Sequence, residues 1–206
     1  VGHWSDEKVQ KKIASWMRTA VGIIESSHVR VMRIADNMRN VAVTEGDKVE
    51  AQIKFGWEID AYPVNEIAEA VEAVSENDVK ALVDEYYDSY EILLEGRDAD
   101  EFRKHVAVQA QIEIGFERFL EEKDYQAIVT HFGDLGSLKQ LPGLAIQRLM
   151  QKGYGFGGEG DWKTAAMVRI MKIMTQGMKD AKGTSFMEDY TYNLVPGKEG
   201  ILQAHM

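Results

Sequence analysis

Two dense acidic motifs lie near the end of the chain. The first is Gly153-Tyr154-Gly155-Phe156-Gly157-Gly158-Glu159-Gly160-Asp161-Trp162-Lys163-Thr164, and the second is Thr184-Ser185-Phe186-Met187-Glu188-Asp189-Tyr190-Thr191-Tyr192. A histidine, His205, follows as the penultimate residue. Two carboxylates and an imidazole make an oxygen and nitrogen donor set for a divalent metal, and a metal beside a carboxylate can do acid–base chemistry on a small polar substrate. Five of the eight residues from 153 to 160 are glycines, so the backbone can turn sharply and leave Glu159 reachable. The same run also fits an ordinary helix-entry loop, with Asp161 facing the positive end of the helix dipole.

Each of these residues has a plainer reading. In a strand, Phe186, Glu188 and Tyr190 share one face, and Met187, Asp189 and Thr191 the other. A buried Glu188 must then pair or bind a cation; on an edge strand it is simply solvated. His205 taken alone is a structural or surface histidine. His3, His28, His105 and His131 carry no functional signal from position. Arg30, Arg33 and Arg39 could bind an anion, but a solvated strand face suits them better. Gly153 to Gly158 also matches G-x-G-x-x-G, yet the dinucleotide fingerprint needs a strand before it, and here the preceding pattern is helical. Gly155 and Gly160 have P-loop spacing, but Asp161 stands where lysine is required.

The elements that must position these residues follow from periodicity. A helix starts near Ser5-Asp6-Glu7 and carries Val9, Ile13, Trp16, Met17, Val21 and Ile24 at helical spacing. A strand over 28–34 runs into the turn-like Asp36-Asn37-Met38-Arg39. Thr44-Glu45-Gly46-Asp47 reads as a hairpin-like turn before a second strand over 49–55. Helices are expected over 64–74 and 75–90, the latter opened by Ser75 and Asp78 in a capping-box arrangement. After a break at 94–98, a long helix covers 100–122. A short apolar strand at 127–132 ends in Gly133-Asp134, and a helix follows over 144–152. The segment 161–178 reads as a helix apolar almost all round, interrupted by Arg169 and Lys172, which places it in the interior. Residues 184–194 and 200–206 read as strands.

Strands separated by helices indicate an α/β class with a largely parallel sheet flanked by helices. The strand–strand pattern after residue 180 marks the first strands of a β-rich unit, which divides the chain into 1–180 and 181–206. A chain of 206 residues, 45% hydrophobic and 28% charged, can bury a sizeable core. Its net charge of −10 argues against nucleic acid as a partner. There is no cysteine, hence no thiolate chemistry. No signal peptide and no 18-residue apolar run is present, so a cytoplasmic protein without a membrane partner fits best. The chain opens at Val1 and stops inside the apolar run Ile201-Leu202-Gln203-Ala204-His205-Met206, as an excerpt of a longer polypeptide would.

Taken together, several segments resemble the L-arabinose isomerase family. They are Val1-Gly2-His3-Trp4, Asp36-Asn37-Met38-Arg39, Val41 through Val49, Gln52-Ile53-Lys54-Phe55-Gly56, Leu82-Val83-Asp84-Glu85-Tyr86, Leu138 through Ala145, and both acidic motifs. Residues 92–106 look least like the family. The resemblance implies a fucose/arabinose isomerase-like fold, and a cytoplasmic, Mn2+-dependent enzyme interconverting L-arabinose and L-ribulose as a hexamer or tetramer. It places metal ligands at Glu159, Glu188 and His205, with Glu159 and Glu188 also moving the proton, and substrate contacts at Met38 and Phe132. It further implies that a second histidine ligand, an N-terminal domain and most of a C-terminal domain lie outside this chain. The rival expectation is a scaffold and subunit-contact segment with no catalysis of its own.

Overall fold

The computed structural model describes residues 2–179 and 188–204. Four parallel strands form one sheet in the order β2-β1-β3-β4. They are β1 (Arg30–Ile34), β2 (Glu58–Tyr62), β3 (Ala127–Val129) and β4 (Gly155–Gly157). Two further strands, β5 (Glu188–Asn193) and β6 (Gly200–Ala204), pair antiparallel as a separate two-stranded sheet. The class is therefore α/β with helices on both faces of a parallel sheet, plus a small antiparallel ribbon.

Alternation along the strands sorts the core. Met32, Ile34 and Ile128 face one side, where they meet Ile67 and Val71 of α3 (Val64–Glu72), Ile112, Phe116 and Leu120 of α5 (Ala99–Lys123), and Ile146 and Leu149 of α6 (Gly143–Gln151). Val31, Ala127 and Val129 face the other side, against Ala51 of α2 (Lys48–Phe55) and Trp162, Ala165, Ala166 and Ile170 of α7 (Trp162–Thr175). The first helix, α1 (Glu7–Ser26), packs on α7. The remaining helix, α4 (Glu76–Ser89), packs on α5 as an outer layer held by Val83, Tyr86 and Ala110.

Beneath α4 lies a buried charge network. The fully buried Glu113 accepts from the Tyr86 hydroxyl at 2.5 Å, from Arg148 Nε at 2.9 Å and from Lys152 Nζ at 3.0 Å. Both oxygens of the carboxylate are thus met by donors, as a buried charge requires.

Three expectations need correction. The segment 49–55 is a helix rather than a strand. Asp47 caps it by accepting from the Glu50 amide at 2.8 Å, and Gly56, at φ 79°, ends it in the left-handed conformation. The second strand is instead β2, whose outer edge is largely exposed. The glycine run is not merely a loop, because Gly155-Phe156-Gly157 forms edge strand β4. Finally, α7 is buried on one side only; Met167 and Met171 lie 46% and 42% exposed. Among the described residues, no helix is long and apolar enough to cross a membrane.

Candidate active site

The chain runs from β1 outward to β2, then crosses back over β1 to β3 and on to β4. The direction of winding reverses between β1 and β3. Crevices of this kind, beyond the carboxyl ends of the strands, are where open α/β sheets take ligands. Met38 lies in the turn that follows β1, Phe132 in the turn that follows β3, and Glu159 just past β4. Parallel pairing puts all three at the same end of adjacent strands. Met38 is half-buried and Phe132 is 56% exposed.

Glycines make the position of Glu159 possible. A Cβ on Gly155 would lie 2.1 Å from the Ala165 carbonyl oxygen, and one on Gly157 would lie 2.1 Å from that of Asp161. Helix α7 thus rests directly on the backbone of β4. Asp161 caps α7 by accepting from the amides of Lys163 and Thr164 at 3.0 and 3.1 Å. A Cβ on Gly160 would approach Asn37 Cα to 2.4 Å, so the two turns touch backbone to backbone. The Met38 amide donates to the Glu159 carbonyl at 2.9 Å, and the Gly160 amide donates to that of Thr130 at 3.2 Å. Glu159 itself is half-buried and held at φ 55°. Ala35 and Asn40, at φ 64° and 73°, flank the neighbouring turn. Left-handed non-glycine residues cost energy and gather where function over-determines the backbone.

Behind these turns sits a charged core that the sequence reading missed. Arg33, expected on a solvated face, is fully buried. It donates from Nη1 to Glu45 Oε2 at 2.8 Å, and from Nη2 to the Asp36 carboxylate and to Asn37 Oδ1, the latter at 3.3 Å. Glu45 Oε1 accepts from the Trp162 indole N–H at 3.0 Å. Lys163 Nζ ties to the backbone oxygens of Val43 and Glu45 at 3.0 and 2.8 Å. Partial burial pushes the Glu45 carboxyl up, but the hydrogen bonds from Trp162, Arg33 and the Gly46 amide outweigh it and hold the carboxyl down at about 2. One signal was available: Trp162 lies within the first acidic motif, and a buried indole N–H needs an acceptor.

Glu188 opens β5, its backbone registered against Ala204. His205, the preceding part of the second motif and the 180/181 division lie outside the described residues. Among the described residues, no group of three or more His, Cys, Asp or Glu is arranged to hold a metal ion. By donor type alone, Glu159, Glu188 and His205 would suit a divalent metal such as Mn2+ if they converge. A groove of about 710 Å³ lies between α4 and α5 and is open to solvent. Two of its lining cations, Lys80 and Arg103, are paired to Asp84, and its lining includes none of Met38, Phe132 and Glu159.

This layout defines an α/β domain of parallel sheet with a carboxylate and two apolar side chains beyond the carboxyl ends of the strands at and beside its switch point. Residues 30–177 match the family model "L-arabinose isomerase central domain", and residues 183–206 match "L-arabinose isomerase C-terminal domain". The whole chain is 55% identical to L-arabinose isomerase of Geobacillus thermodenitrificans, covering 41% of that protein. It is 55% identical to L-arabinose isomerase 1 of Bacillus licheniformis over 40% of its length, and 53% identical to the enzyme of an Enterobacter species over 41%. The chain belongs to the L-arabinose isomerase family, and it spans about two-fifths of the length of these relatives.

Proposed function

We propose that this chain supplies the substrate-facing centre of a cytoplasmic, Mn2+-dependent isomerase that interconverts L-arabinose and L-ribulose. The observation that carries the reading is the placement of Glu159, Met38 and Phe132 beyond the carboxyl ends of three adjacent parallel strands, in a member of this family. Glu159, Glu188 and His205 would hold the metal, with a further ligand from a part of the protein outside this chain. When bound there, Mn2+ supplies Lewis-acid polarisation of adjacent sugar oxygens.

The chain's own residues do the rest. One of Glu159 and Glu188 removes the C2 proton of the aldose, and the proton returns to C1 through an enediol. The other moves the hydroxyl proton from O2 to O1. Met38 and Phe132 lie against the apolar face of the sugar and fix which face meets the carboxylates. Units 1–180 and 181–206 contribute one carboxylate each, so neither catalyses alone.

The test is Glu159→Ala in the complete isomerase carrying this chain, assayed for Mn2+-dependent L-ribulose formation. Loss of turnover with the fold intact is expected; near-normal turnover removes Glu159 from the site. With L-arabinose deuterated at C2, loss of label to solvent supports the enediol route, whereas full retention counts strongly against it and in favour of a hydride shift.

A scaffold reading is favoured by one observation. Ile13, Trp16, Ile23 and Ile24 of α1 are all more than half exposed and fall on one side of the helix by its spacing, and exposed apolar faces of this kind mark contact sites. Self-association as a hexamer or tetramer through this face fits both readings. Sedimentation of a Trp16→Glu variant tests it, because retention of the full assembly rules the face out.

A further inference from the structure

Arg33 is a fully buried cation that the proposed reaction does not use. Its two terminal nitrogens grip different loops. Nη2 holds Asp36 and Asn37, in the turn whose next residue, Met38, donates to the Glu159 carbonyl at 2.9 Å. Nη1 holds Glu45, which in turn takes the Trp162 indole N–H, three residues beyond Glu159. One guanidinium thus fastens both sides of the left-handed residue that carries the carboxylate. Its Nε has no hydrogen-bond partner among the described residues, so the side chain is placed for its fork rather than for full satisfaction. Packing alone does not call for a charge at this point, since Val31, two residues earlier on the same face, fills its place as a plain hydrocarbon.

We infer that Arg33 is a positioning residue for Glu159, acting through Asp36–Asn37–Met38 on one side and Glu45–Trp162 on the other. The metal part of this inference rests on the proposed role of Glu159; the positional part does not. A lysine cannot replace the fork, because a point charge on a flexible stem cannot hold two carboxylates in fixed directions. Groups that orient a ligand without touching the metal typically change its affinity by roughly 10- to 100-fold.

The experiment compares Arg33→Lys, Glu45→Gln and Glu113→Gln in the complete isomerase. Glu113→Gln is the control: it damages a buried charge network of similar weight under α4, away from the strand ends. Two quantities are read, the Kd for Mn2+ alone by calorimetry and backbone amide exchange by mass spectrometry. Arg33→Lys and Glu45→Gln are expected to weaken Mn2+ about tenfold or more. They should also speed exchange in segments 36–41 and 158–164 and not in 82–90. Glu113→Gln should lower the melting temperature while leaving the Mn2+ affinity and both segments unchanged. Unaltered exchange in 36–41 and 158–164 overturns the inference, and so does an equal Mn2+ loss in Glu113→Gln. Should Arg33→Lys fail to fold, Glu45→Gln decides, since its carboxylate is partly exposed and keeps its shape as an amide. If the unmodified isomerase binds no Mn2+, the proposed function falls, and the exchange result alone decides on Arg33.

Discussion

A glutamate held in the left-handed region costs the fold roughly 1–2 kcal/mol relative to a right-handed one, and Glu159 sits at φ 55°. Glycine would adopt that conformation freely. Glu159→Gly is therefore expected to abolish turnover while leaving stability unchanged or raising it by up to about 1 kcal/mol, part of the gain being offset by the added freedom of the unfolded chain. Urea denaturation checks this, and a clear loss of stability would mean that the side chain holds the fold instead. Glu45 carries the pH prediction. Its folded value of about 2 lies below the ordinary 4.5, so its stabilisation is fully present above about 4.5 and is lost as pH falls toward 2. The stability gap between the unmodified protein and Glu45→Gln should be widest above pH 4.5 and close on acidification. Because the carboxylate is more than one-third exposed, solvent screening keeps that gap small. Glu159 stood out in the sequence because glycines flanked it. Arg33 did not, because Arg30-Val31-Met32-Arg33 reads like a strand with two solvated cations. Only the structure shows that Arg30 lies at the open amino end, paired with Glu58, while Arg33 lies under two loops.

Most helices were legible from spacing and caps. Ser75 accepts from the Asp78 amide and Asp6 from that of Lys8, at two of the helix starts read from the sequence. The misreading of α2 had a specific cause. Val49, Ala51, Ile53 and Phe55 alternate with polar residues as in a strand, but Asp47 and Gly56 bracket them as helix caps, and local hydrogen bonding won. β4 was hidden for another reason: in Gly155-Phe156-Gly157 two glycines flank a single strand-favouring residue, too short and too glycine-rich a signal to read. Its glycines exist for α7, and that is testable. Gly157→Ala must push Asp161 away from a 2.1 Å clash with backbone, so a loss of about 3 kcal/mol or more is expected. Gly143→Ala, at the open start of α6 with nothing within 4 Å, should stabilise by roughly 0.5–1 kcal/mol. Similar losses in both variants would show that β4 and α7 are not in backbone contact.

The doubly wound order explains why distant segments meet. Met38 and Phe132 are far apart in sequence, yet they follow neighbouring parallel strands on either side of the reversal in winding. Periodicity could indicate the class of sheet, but not the strand order, because β2 was read in the wrong place and β4 was not read at all. The pairing of the two residues therefore rested on resemblance. Their proposed role has a distinct signature. If both rest against the sugar, their truncation removes apolar contact with the substrate but no metal ligand. Met38→Ala and Phe132→Ala, in the complete isomerase, should each shift the ratio of kcat/KM between L-arabinose and a competing aldose by roughly 10-fold or more, the weight of a few lost methylenes in a binding pocket. The Mn2+ affinity should stay nearly constant in Phe132→Ala. In Met38→Ala it should also hold, because the tie to Glu159 runs through the backbone amide, which the substitution keeps. Kinetics with two sugars and a Mn2+ titration on each variant separate the outcomes. Loss of metal affinity with unchanged sugar preference would move both residues out of the sugar mouth and into the support of Glu159.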